Sequence, residues 1–147
     1  MKFIQATEQD ISLIQNLARR SWENAYADIL SGEQMEYMLS EMYSETEIKK
    51  HLLNPNYHYY LIHDQDSYEG FVGYEHHYEE KTTKLHRIYL VPESKGKGLG
   101  KAALHFLNEK VSESSLERDT FVEKLLHGGF YQHLYYRRQF SELICCK

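Results

Sequence analysis

A chain of 147 residues is long enough for one domain around one core. Its 41% hydrophobic and 27% charged residues are ordinary for a globular protein. A formal net charge of −5, with no dense basic stripe interleaved with aromatics, speaks against nucleic acid as partner. The charge is uneven: residues 1–83 carry 6 Lys/Arg against 15 Asp/Glu, and residues 84–147 carry 11 against 7. Such polarity suits an anionic ligand on one side and a cationic one on the other, but it also fits a solvated charged surface. The opening MKFIQATEQD turns polar too early for a secretory leader, and no apolar run approaches the roughly 20 residues needed to span a bilayer. The expected location is therefore cytoplasmic, with no membrane partner. Cys145 and Cys146 are adjacent and make no disulfide framework, and the nine histidines show no metal-ligand spacing, so no metal is expected.

In chain order, residues 2–6 read as a first strand. Thr7 with Asp10 resembles a helix-capping arrangement, and Ile11, Ile14, Leu17 and Ala18 fall on one helical face. That helix continues through Trp22, Ala25, Tyr26 and Ile29, until Ser31-Gly32 breaks it. Short helices follow over 33–40 and 45–53, the second capped by Ser44 with Glu47 three residues on. Asn54-Pro55-Asn56 is a turn. Residues 57–63 and 69–78 form a hairpin around Asp64–Ser67, where Gly70 and Gly73 suggest a bulge or a close backbone approach. After a turn at 80–83, residues 84–91 form a strand and 98–111 a helix. This order is a mixed α/β domain, not an alternating doubly wound one, and one domain accounts for all 147 residues.

The informative stretch is Leu90-Val91-Pro92-Glu93-Ser94-Lys95-Gly96-Lys97-Gly98-Leu99-Gly100-Lys101, lying between an apolar strand and an amphipathic helix. Glycines at 96, 98 and 100 let the backbone turn tightly and bring its N–H groups to a ligand. A helix N-terminus adds unpaired donors and partial positive charge, which together make an anion site, with pyrophosphate the natural anion. Lys95, Lys97 and Lys101 contribute charge without the bidentate geometry of Arg. The spacing fits neither the Walker loop nor the dinucleotide fingerprint.

KLHRIYLVPESKGKGLGKAAL resembles motif A of the GNAT acetyltransferases, Gln/Arg-x-x-Gly-x-Gly/Ala, with Lys95 standing where Gln or Arg is usual and Gly98 and Gly100 matching. The N-terminal half is similar to members related to bacterial spermidine/spermine acetyltransferases, and the resemblance covers about residues 1–115. It implies a GNAT fold, a central, mostly antiparallel twisted sheet flanked by helices, and acetyl-coenzyme A as cosubstrate. By resemblance, the backbone of Lys95 through Lys101, including Leu99, holds the pyrophosphate of the cofactor. Main-chain groups near Tyr89, Leu90 and Val91 pair with its pantetheine arm.

The implied reaction, direct attack of a small-molecule primary amine on the acetyl thioester, needs a base and a proton for the departing thiolate. Glu75, His77 and His86 are the candidate bases; Glu75 and His77 share one face of their strand by its period of two. The same residues also read as ordinary strand positions. Residues 31–47 hold Glu33, Glu36, Glu41, Glu45 and Glu47 with no Lys or Arg, and Trp22, Tyr26 and Tyr37 offer aromatic faces for an ammonium, as a polyamine would need. An acidic helix surface over core aromatics also explains them, and is the more ordinary reading. After about Arg118 the resemblance fades. Thr120–Val122 reads as a strand remnant, Phe130-Tyr131 as the family's Phe-Tyr pair with Tyr131 as general acid, and Tyr135-Tyr136 falls at its Gly-Phe position. Either the tail diverged in frame and kept Tyr131, or a reading-frame change replaced the final strands. The second case leaves a sheet edge open to homodimerisation, and a coenzyme A-binding protein with impaired turnover.

Overall fold

The computed structural model describes residues 1–79, 82–113, 120–127, 130–137 and 142–146, with side-chain surroundings for 1–78 and 82–113. Strand β1 (Lys2–Gln5) leads into a 3-10 turn at Glu8–Asp10. There the Asp10 carboxylate accepts from the Thr7 backbone N–H at 2.8 Å, and the Thr7 hydroxyl accepts from Gln9 N–H. Helix α1 (Ile11–Ala25) buries Ile11, Ile14, Leu17, Ala18 and Trp22, the face expected from their spacing. It ends at Ala25, short of Ile29, which is exposed.

Ser31, read as a breaker, starts the next helix: its hydroxyl accepts from Gln34 N–H, and the Gln34 side chain accepts from Ser31 N–H. This capping box opens α2 (Gly32–Met42). Ser44 caps α3 (Glu45–Leu53) through Glu47 N–H.

Strands β2 (Tyr57–Asp64), β3 (Ser67–Glu79) and β4 (Thr82–Leu90) follow. With β1 they make an antiparallel sheet in the order β1-β2-β3-β4. One face packs on α1 and the helices after it through Leu17, Trp22, Tyr43, Ile48, Tyr59 and Phe71. The other packs on α4 (Leu99–Glu113) through Val72, Leu85, Ala103 and Leu107. Phe106 stacks on Phe3 at 4.1 Å and so ties α4 to the far edge of the sheet.

The two glycines of β3 mark close approach. A Cβ at Gly70 would lie 2.1 Å from the Tyr89 carbonyl oxygen, and one at Gly73 would press on Tyr57 and Tyr59 at 3.2 Å. Beyond α4, β5 (Thr120–His127), β6 (Phe130–Arg137) and β7 (Glu142–Cys146) form a second antiparallel sheet. Strand β5 runs beside β4 without joining its ladder.

Candidate active site

The chain leaves β4 at Val91, makes a 3-10 turn at Pro92–Ser94, and enters α4 at Leu99. The Ser94 hydroxyl donates to Val91 O at 2.6 Å, and Lys97 N–H donates to Ser94 O at 3.2 Å, which closes the turn. Gly96 and Gly98 take φ of +83° and +73°, the left-handed region that side chains disfavour. A Cβ on either would meet nothing within 4 Å among the described residues. Both glycines therefore face an open cradle at the mouth of a 15-residue helix whose first amides have no intrahelical acceptor. Gly100 differs: its φ is not left-handed, and a Cβ there would make ordinary contact with Leu90 at 3.6 Å. An anion fits this cradle, so the chemistry of the loop agrees with a pyrophosphate.

Halfway down β4 the pairing with β3 slips, Gly73 opposing Arg87 and Tyr74 opposing Leu85. His86 is the extra residue, and a bulge of this kind turns two consecutive side chains to the same side. His86 and Arg87 both meet the aromatic cluster under α1–α3, whereas Leu85 and Ile88 pack toward α4. His86 Nε2 lies 2.9 Å from Glu75 Oε2, with both side chains about four-fifths covered. Glu75 also accepts from Asn54 Nδ2 at 3.2 Å. The His86 ring stacks on Tyr57 at 5.1 Å. Burial pushes the His86 imidazole below its ordinary range, and the bond to Glu75 only partly offsets this. At neutral pH the ring is thus uncharged and donates its Nε2–H to the carboxylate, which leaves a lone pair on Nδ1. A Glu–His pair so arranged has the chemistry a general base needs, with the ring held in one tautomer.

Arg87 is 8% exposed. Its guanidinium donates to Tyr59 Oη at 2.6 Å and Met42 O at 3.1 Å and lies 4.3 Å from the Tyr43 ring centre. It joins the end of α2 to the strand that carries His86. Burial raises Tyr43 and Tyr57 far above the ordinary phenol range, so both stay neutral.

The remaining predicted residues scatter. Tyr89 packs against the core under α1, and Leu90 against the α4 side. Among the described strand pairs β4 bonds only to β3, and β5 runs beside its other edge. His77 is exposed, and its φ of +55° breaks the alternation that placed it with Glu75; the residue brought to Glu75 is His86 instead. Trp22 and Tyr26 are core residues at 3% and 7% exposure, not faces of an open cleft, whereas Tyr37 and Glu33 are exposed on α2. Within the acidic stretch, Glu36 is paired with Arg19 at 2.7 Å and Glu45 with Lys49 at 2.8 Å. An open groove lined by Gln15, Asn16, Leu39, Ser40 and Tyr43 runs between α1 and α2, bridged by the Arg19–Glu36 pair. Tyr131 falls on β6 opposite Leu126, and its side chain lies outside the described residues. Arg87, Asn54 and Tyr57 were missed by sequence reasoning; only the bulge and the fold's long-range contacts show them. Among the described residues, no group of three or more His, Cys, Asp or Glu is placed to hold a metal ion, and no helix is long and apolar enough to cross a membrane.

Residues 14–138 match the Acetyltransferase (GNAT) family, a span that reaches past Arg118, where the motif pattern fades. Among solved structures, the chain is similar to the PaiA N-acetyltransferase of Thermoplasma acidophilum in complex with coenzyme A. That likeness has 21% identity and a TM-score of 0.75, over 86% of this chain and 81% of that one. It is also similar to the spermidine/spermine N-acetyltransferase SpeG of Vibrio cholerae, in mutant forms, at 16% identity and TM-score 0.63 over 95% of each chain. An acetyltransferase of Thermus thermophilus aligns at 14% identity and TM-score 0.64, over 92% of this chain and 96% of that one. At these identities the structures speak for the fold. No curated protein matches the sequence.

Proposed function

The chain belongs to the Acetyltransferase (GNAT) family and is an acetyl-coenzyme A-dependent acetyltransferase, and from that premise we propose that its acceptor is a primary amine of a small molecule, with a polyamine as the first class to test. The observation that carries the cofactor reading is the pair of left-handed glycines, Gly96 and Gly98, facing open space at the start of α4. Backbone N–H groups of Lys95, Gly96, Lys97, Gly98, Leu99, Gly100 and Lys101 would hold the pyrophosphate. The β4 edge not paired with β3, at Tyr89 and Leu90 and on to Val91, would receive the pantetheine arm as an added strand. When bound, acetyl-coenzyme A supplies an activated acetyl thioester.

The chain's own work is to orient the amine and remove its proton. His86 Nδ1 takes the ammonium proton, directly or through one water, and Glu75 stabilises the charge that then develops on the ring. No covalent bond to the chain is needed, because a held amine attacks directly. Tyr131 is the proposed donor of a proton to the departing thiolate. The exposed acids Glu33 and Glu41 on α2 support a cationic acceptor. The core positions of Trp22 and Tyr26 remove them from direct contact and leave Tyr37 as the aromatic candidate.

The test is mass-spectrometric detection of acetylated product from acetyl-coenzyme A with spermidine, spermine, amino-acid amides and amino-terminal peptides. Acetylated polyamine formed faster than the other products supports the reading. Product from peptides alone overturns the polyamine assignment. No product, with coenzyme A still bound, favours a binding protein without turnover.

A further inference from the structure

Glu69 has no part in the chemistry above, yet it touches the cofactor loop at both ends. It is the extra residue where the β2–β3 pairing shifts between Ile62 and His63. The neighbouring Gly70 lets β3 press against β4 where a Cβ would collide with Tyr89 O. This brings the Glu69 carbonyl oxygen within 2.9 Å of Val91 N–H, the residue that opens the loop. The Glu69 side chain, 5% exposed, reaches the other end: its Oε1 accepts from Lys97 Nζ at 3.2 Å and from the Ser67 hydroxyl at 2.5 Å. The Ser67 hydroxyl and then Lys97 hold the carboxyl below its usual range despite burial. Its Oε2 is buried and has no hydrogen-bond partner among the described residues.

Lys97 stands between the two left-handed glycines, the residue type whose backbone is least restricted. If Lys97 left for a ligand, the buried Glu69 carboxylate would lose its cation and keep only the Ser67 hydroxyl, which is costly. We propose that Glu69 is a positioning residue for the coenzyme A loop, with Lys97 as its anchor rather than a phosphate ligand. The loop's amides are thereby ordered before the cofactor arrives, and Lys95 and Lys101 are the lysines left for phosphate. This rests on the loop being the coenzyme A site.

The two roles open to Lys97 predict opposite signs. If Lys97 were a phosphate ligand restrained by Glu69, neutralising Glu69 would release it and tighten coenzyme A binding. If Glu69 orders the loop, the same change weakens it. The experiment is calorimetric titration of coenzyme A into the intact chain and its variants, with melting temperature and amide exchange at Gly96 and Gly98 measured on each sample. Glu69→Gln should weaken binding about fivefold and speed exchange at both glycines, with a melting temperature within a few degrees of the parent. In the Lys97→Met background the same change should add no further loss, because the tether is already gone. Unchanged or tighter binding by Glu69→Gln, equal losses in both backgrounds, or a drop in melting temperature with unaltered affinity would each overturn the proposal. If the unaltered chain fails to bind coenzyme A, the reading of the loop itself falls, a result distinct from all of these.

Discussion

Replacing Gly98 by alanine separates backbone strain from ligand recognition. Gly98 holds φ at +73°, and a Cβ there meets nothing within 4 Å among the described residues, so none of them clashes with it in the free protein. The cost is conformational alone, about 1–2 kcal/mol for a non-glycine residue in the left-handed region. For a chain of this size that lowers the melting temperature by roughly 3–6 °C. The methyl group enters the cradle where a phosphate would meet the amides, and losing one charge-assisted hydrogen bond costs about 1.5–3 kcal/mol. Coenzyme A affinity, read by calorimetry, should therefore fall at least about tenfold. The internal control is Gly100→Ala, whose Cβ makes an ordinary 3.6 Å contact with Leu90 in the first turn of α4. It should leave affinity nearly unchanged and stabilise the helix by up to about 1 kcal/mol. Equal affinity for Gly98→Ala and the parent, or equal damage from both substitutions, would refute the reasoning.

Three further outcomes follow from the geometry. Glu75→Gln and His86→Gln should each lower kcat/KM by about a hundredfold or more if the pair is the base. Glu75→Gln should also move the acid limb of the pH profile down, since the bond to Glu75 raises the imidazole pKa; an upward shift or an unaltered profile would sink the assignment. His51 and His76 have pKa values lowered by burial to about 4, so the fold resists their protonation and stability drops as pH falls from about 6.5 toward 4. After discounting for partial exposure, about 1–2 kcal/mol each should be lost, seen as a lower urea midpoint at pH 5 than at pH 7.5; equal midpoints would contradict this. Gly70→Ala places a Cβ 2.1 Å from Tyr89 O, so it should destabilise by several kcal/mol or prevent folding, and a melting temperature like the parent's would show that β3 and β4 are not pressed together there.

The parts that could be read from sequence are those set by local rules. The buried face of α1, the Thr7 and Ser44 caps, and the glycine loop ahead of α4 all depend on residues within a few positions of one another. Ser31 is a local signal with two senses: serine both ends one segment and caps the next, and Gln34 three residues on distinguishes the cap. The proposed Glu75–His86 base is half legible in the sequence. Glu75 and His86 were each candidates, but their meeting depends on a bulge that no glycine or proline marks in β4. The same bulge puts Arg87 beside His86 on one face, which strict alternation would forbid. For Trp22 and Tyr26, residue type gives an aromatic face without saying which way it points, and packing turned both inward. Glu69 meets Lys97 across 28 positions, a contact beyond the reach of motif or periodicity.

The most direct test of the account is titration of coenzyme A into the intact chain while backbone amide shifts are followed residue by residue by nuclear magnetic resonance. The account predicts saturable binding with the largest shifts at Gly96 through Lys101 and along Tyr89 to Val91. Saturable binding that leaves those amides unmoved, or no binding at millimolar coenzyme A, would contradict it.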